Sequence, residues 1–115
     1  MTIKEHLIDI VNRIPKRRVA SFGQIAPILS EESGKRVSAQ VVGWLLSWMP
    51  EHERTQLCRR RVVNKVGIIS SMKLWEKGIR QKQLLEADGI PIVDNQVDMD
   101  IYRVEDEHLA MVRRN

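Results

Sequence analysis

Apolar residues recur at helical spacing along the first half of the chain, and the polar residues between them mark where each helix begins and ends. Ile3, Leu7, Ile10, Val11 and Ile14 share one face of a helix running from Thr2, a capping residue, to about Arg13, leaving Lys4, Glu5, Asp9 and Asn12 for solvent. Pro15 stops it. Ser21 caps a second helix in which Phe22, Ile25, Ala26 and Leu29 align, and Pro27 inside it is expected to kink or shorten it. After the turn-forming run from Ser30 to Arg36, Ser38 caps a third helix that reaches about Met49, just before Pro50.

The third helix divides into two faces. Val41, Val42, Leu45, Leu46 and Met49 suit a core, while Gln40, Gly43, Trp44 and Ser47 lie opposite them. That second face has no charge, which is unusual for a solvated helix. A glycine within a helix costs about 1 kcal/mol against alanine. Gly43 therefore points to a close approach, either by another protein segment or by a nucleic-acid backbone with Trp44 as a stacking or wedge residue.

Farther along, the pattern becomes extended. Arg61-Val62-Val63-Asn64, a turn through Lys65-Val66-Gly67, and Ile68-Ile69-Ser70 predict a small hairpin. Trp75 to Ala87 reads as the last long helix, with Trp75, Ile79 and Leu85 among its apolar positions and Gly89 as its stop. Ile90 to Val93 and Val97 to Val104 read as short paired strands. Helix, helix-turn-helix and small wing, in that order, make a winged helix-turn-helix: mainly α with small β elements, in a single domain over residues 1–115.

Charge adds a direction to this outline. Lys and Arg number 19 against 15 Asp and Glu, a formal net charge of +4, and the distribution says more than the total. Asp94, Asp98, Asp100, Glu105, Asp106 and Glu107 crowd the last quarter, whereas Arg54 to Trp75 holds Arg54, Arg59, Arg60, Arg61, Lys65 and Lys73 and no acid. Two electrically different sides are expected, one facing a polyanion. Read as a phosphate clamp, Arg54, Arg59, Arg60, Lys65 and Lys73 predict strongly salt-dependent DNA binding; read as a solvated loop, they predict nothing. The single cysteine, Cys58, excludes an internal disulfide and a Cys-rich zinc site, and His6, His52 and His108 lack metal-ligand spacing. No apolar run is long enough for a membrane span and no signal peptide is evident, which predicts a cytoplasmic protein without metal or cofactor.

Five blocks carry a family resemblance. Ile14-Pro15-Lys16-Arg17-Arg18-Val19 is similar to an Ile-Pro-x-Gly-x-Val segment, with Arg17 in place of the glycine. Ser21-Phe22-Gly23-Gln24-Ile25-Ala26 resembles Thr-Tyr-Gly-x-Ile-Ala, and Gln40-Val41-Val42-Gly43 resembles Arg-x-Val-Gly. Arg61-Val62-Val63-Asn64, with Gly67 and Ile69-Ser70, resembles the strand after Pro-Cys-His-Arg-Val, and Arg80 to Gly89 resembles a closing helix. These are the blocks of the O6-alkylguanine-DNA alkyltransferases, and more closely of the alkyltransferase-like proteins, which keep the DNA-binding fold without the acceptor cysteine.

The resemblance implies a recognition helix in the minor groove and a guanine rotated out into a pocket beside the acceptor segment. Registered on Arg61, Cys58 falls at the family's proline, Arg59 at the acceptor and Arg60 at the histidine, while Gln40 replaces the intercalating arginine and Phe22 the tyrosine. Arginine stays protonated and cannot accept an alkyl group, so the resemblance implies a non-enzymatic protein that binds altered DNA and signals to repair. Phe22, Gln40, Gly43, Trp44, Ser47, Arg59, Arg60 and Lys65 are its expected DNA-facing residues; Arg61 and Asn64 are structural, with Glu86 as a partner for Arg61. Its expected partners are double-stranded DNA, alkylated DNA in particular, and a repair protein, with the chain itself monomeric, away from membranes and at the nucleoid in a prokaryote. Two alternatives stay open: a transferase using Cys58, activated by the adjacent arginines, and a protein-interaction module built on Trp44 and Trp48.

Overall fold

The computed structural model describes residues 1–50, 57–69 and 81–110. The expected helix stretch from Trp75 to Arg80, together with Arg54, Ser70 and Lys73, lies outside them. Helix α1 spans Ile3–Val11; Thr2 and Glu5 close its first turn reciprocally, the Glu5 carboxylate accepting from the Thr2 amide at 2.7 Å. Glu5 is thus a cap rather than a mere solvent residue. Strand β1 (Ala20–Ser21) leads directly into α2 (Phe22–Ser33), where Ser21 and Gln24 make a second capping box. The helix continues past Pro27 to a left-handed cap at Gly34, so the proline does not shorten it. Helix α3 (Ala39–Trp48) starts on Ser38, whose hydroxyl accepts from the Val41 amide.

The three helices enclose one apolar core that includes Leu7, Ile10, Ile25, Leu29, Val42 and Leu46, all essentially inaccessible to solvent. Burial of such side chains supplies the main stabilising term of the fold. A second, smaller cluster holds Val19, Val63, Ile69, Leu85, Ile90 and Val97. The two clusters meet at β2 (Val62–Val63), because successive strand residues point to opposite sides: Val62 enters the helical core and Val63 the smaller one.

The wing is assembled differently from the expected hairpin. β2 pairs with β1 in parallel, Ala20 against Val62 and Ser21 against Val63, instead of folding back on Ile68 and Ile69. Ile68 bridges Gln96 instead, and the Ile69 amide donates to the Asn95 carbonyl at 2.9 Å. Gly67 is required at this junction: its φ is +89° and a Cβ would run into the Val97 carbonyl oxygen. The segments expected as paired strands near the C-terminus are mostly not strands. Val93 and Gln96 bridge across a tight turn at Asp94-Asn95, both with positive φ, and Met99–Tyr102 is a short helix, α5. Val19 threads between Tyr102 and Val104, donating to one and accepting from the other, and α6 (Asp106–Ala110) closes the chain over α2.

The described part of the closing helix, α4, spans Gln81–Ala87 and stops before Gly89, where φ is +92°. The side chain of Arg17 packs over that glycine. Arg17 itself sits at φ +74°, left-handed backbone that glycine adopts freely and arginine rarely, which accounts for the glycine at this position in the block it resembles.

Candidate nucleic-acid interface

A cleft of about 270 Å³ opens where α3, the start of α2, the arginine run and α4 converge. Phe22, Gly43, Leu46, Ser47, Arg59 and Gln81 line it along with Val62, Val63, Asn64 and Ile68. Its size is close to the lower bound of about 300 Å³ for small-molecule sites, enough for one planar ring system with little to spare. The walls are mainly apolar and the polar groups few.

Each polar wall residue is placed by local backbone chemistry. Arg59 to Arg61 form one turn of 3-10 helix, closed by the Arg61 amide on the Cys58 carbonyl at 2.9 Å. Asn64 makes the next turn: its Oδ1 accepts from the amides of Val66 and Ile68, and its carbonyl from Gly67. Ser47 lies one turn after Gly43 on α3, so both face the cleft.

Of the residues expected to face DNA, the structure therefore unites Phe22, Gly43, Ser47 and Arg59 around one cavity, with Asn64. Gln40 and Trp44 flank it on the exposed side of α3, where Trp44 (45% exposed) stacks on Trp48 (73% exposed) with ring centroids 5.8 Å apart and an interplanar angle of 11°. Lys65 is exposed but lies around the turn, beside Gly23 and Pro27.

Arg60 and Arg61 have a different role. Both Nε atoms donate to Asp88 Oδ2, at 3.0 and 3.3 Å, and Arg61 also donates to the Ile14 carbonyl at 2.9 Å. The expected partner Glu86 is exposed, so Asp88 replaces it, and Arg60 is bound into the same ion pair instead of being a dedicated phosphate ligand. Burial alone would raise the Asp88 carboxyl, but hydrogen bonds and charge from Arg60 and then Arg61 outweigh it and hold the group below the usual carboxylate range. This clamp ties the arginine run to the end of α4 and to Ile14 in the segment after α1, and so restrains the position of Arg59.

Cys58 is half-buried, its amide donating to Asn12 Oδ1 at 3.1 Å, and it is not among the residues lining the cleft. Sequence reading did not single out Gln81 or Asp88. A buried arginine demands a carboxylate, and Asp88 stands just past the helix end where the chain turns inward; Gln81 gives no such signal, being one polar residue in a polar helix stretch.

At Gly43, an added Cβ would come no nearer than 4.0 Å to Phe22, so the protein itself leaves room for a methyl group. No described segment therefore packs against this glycine closely enough to require it. Gly43→Ala is expected to raise the unfolding free energy by about 1 kcal/mol. If a backbone from outside lies against this turn, the same change weakens duplex affinity; denaturant unfolding and a binding titration on one variant check both halves.

No protein-family model matches the chain. A DNA base-flipping protein of Vibrio parahaemolyticus serotype O3:K6 (strain AQ3810) is 36% identical over 87 residues, covering 75% of this chain and 78% of that protein. Among solved structures, S. pombe Atl1 in complex with damaged DNA containing O6-carboxymethylguanine superposes with a TM-score of 0.69, at 23% identity over 90% of this chain and 94% of that one. A second, of S. pombe ATL in complex with DNA, gives a TM-score of 0.66 at 23% identity, over 89% and 94% of the two chains. The winged helix-turn-helix architecture is thus that of the alkyltransferase-like proteins.

Proposed function

We propose that this chain, which belongs to the alkyltransferase-like family of DNA base-flipping proteins, binds altered double-stranded DNA without chemically repairing it. Helix α3 lies in the minor groove by Gln40, Gly43 and Trp44, and a base of the O6-alkylguanine type rotates into the cleft between Phe22, Ser47 and Arg59. The observation that carries this reading is the cleft itself: one cavity, of a size for one base, directly beside the uncharged face of α3 and the arginine run. Unstacking a base costs a few kcal/mol, which contacts in the cavity must return.

No thiol stands among the described residues of the cleft wall. Arg59 lines the cleft and, by the resemblance to the family, stands at the acceptor position, where a guanidinium is protonated and non-nucleophilic at neutral pH. The role that remains is recognition, with the bound complex marking the site for a repair protein. Incubating the protein with excess duplex containing O6-methylguanine, followed by intact-mass spectrometry, tests this directly. The mass is expected to stay unchanged. A stoichiometric gain of one methyl group on Cys58 would instead make the protein a transferase.

A further inference from the structure

Gln81 is the most deeply buried polar side chain on the cleft wall, 2% exposed. Its amide nitrogen is fully used: Nε2 donates to the Arg60 carbonyl at 2.9 Å and to the Val62 carbonyl at 3.1 Å. Both carbonyls belong to the segment that forms the neighbouring wall, so the amide cannot rotate without abandoning two hydrogen bonds. No described residue donates to Oε1. That oxygen is not among the fully enclosed unpartnered atoms of the described residues, so it opens on the cleft, where a ligand with a donor at that point would gain a hydrogen bond.

Asn64 is locked in the opposite sense. Its Oδ1 already accepts from the Val66 and Ile68 amides at 3.0 and 2.8 Å, so only its amino end is left to donate. The lining thus carries one fixed acceptor, on Gln81, and donors on Asn64 and Arg59. Fixed polarity of this kind selects a ligand edge by hydrogen-bond type, not by shape alone.

Alkylation of guanine at O6 removes the proton from N1, leaving the 2-amino group as the only N–H donor on the base. We infer that Gln81 is a specificity-determining residue whose Oε1 accepts from the 2-amino group of the base held in the cleft. The inference rests on the cleft being a base-binding site, as proposed above, and adds which base edge it reads. It excludes alkylated purines without a 2-amino group from tight binding.

Fluorescence anisotropy with duplexes identical except at one base tests it, the base being guanine, O6-methylguanine or O6-methylhypoxanthine, which lacks only the amino group. The wild type is expected to bind the O6-methylguanine duplex about tenfold more tightly than the O6-methylhypoxanthine duplex, the size of one buried hydrogen bond. Gln81→Met, checked for folding by circular dichroism, is expected to bind the two alike. Equal binding of both alkylated duplexes by the wild type overturns the role of Gln81, and so does a preference that survives in the folded variant. Should Gln81→Met not fold, the wild-type comparison decides alone. If neither alkylated duplex binds better than the guanine duplex, the base-binding reading itself fails, a result distinct from the first two.

Discussion

Asp88→Ala is expected to lower the unfolding free energy by about 3 to 5 kcal/mol, because it leaves the buried guanidinium of Arg61 without a counter-charge. For a domain of this length that corresponds to a fall in Tm of roughly 15 to 25 °C. Asp88 is the only described carboxylate in ion-pair range of Arg60 or Arg61, so no described neighbour can take over. Glu86→Ala, two residues away and exposed, should change stability by less than about 0.5 kcal/mol. The pH dependence has a definite sign. Since the folded Asp88 carboxyl titrates below its unfolded value, its contribution is complete above the ordinary carboxylate range and is lost as pH falls through the lowered folded value. Denaturant unfolding of wild type and Asp88→Asn should therefore differ most at neutral pH and converge in acid. A difference that persists unchanged in strong acid would mean that the carboxylate charge is not what holds the arginine run.

Much of this fold was legible in the chain because its helices are marked twice, by periodicity and by caps. Thr2, Ser21 and Ser38 each cap the helix they were expected to cap, and Leu7, Ile25 and Leu46 all reach the core. The β elements were not legible in detail. Val62 and Val63 are β-branched and fit any strand, and nothing local states that their partners are Ala20 and Ser21, some forty residues earlier, rather than the residues just after the turn. Met99 to Tyr102 misled for a related reason: an alternating apolar pattern over so few residues also fits a single helical turn, and the cap at Asp98 decides for the helix. At the site, Gly43 and Arg59 were readable as departures, one from helix propensity and one from the family pattern. Asp88 and Gln81 act by pairing with distant partners, Arg61 and the Val62 carbonyl, and such pairing appears only once the chain is folded.

The largest effect on function is expected from salt. Arg59 lines the cleft and Lys65 stands exposed on the neighbouring turn, while Arg54 and Lys73 belong to the same acid-free stretch of sequence. Two to four phosphate contacts release as many counterions, giving a slope of about −2 to −4 in log K against log salt. Raising salt from about 50 to 200 mM should then weaken duplex binding roughly 10- to 150-fold. Arg59→Ala and Lys65→Ala should each reduce the slope by about one. Arg60→Ala should leave it unchanged, because that guanidinium is engaged with Asp88. The alternative centred on the exposed Trp44–Trp48 pair predicts little affinity for duplex and no steep salt term. A duplex titration at these two salt concentrations, on wild type and Arg59→Ala, is the most direct test of whether the cleft and the face of α3 form a DNA site. Steeply salt-dependent binding with a shallower slope in the variant is the predicted result; weak binding that ignores both salt and Arg59 would contradict it.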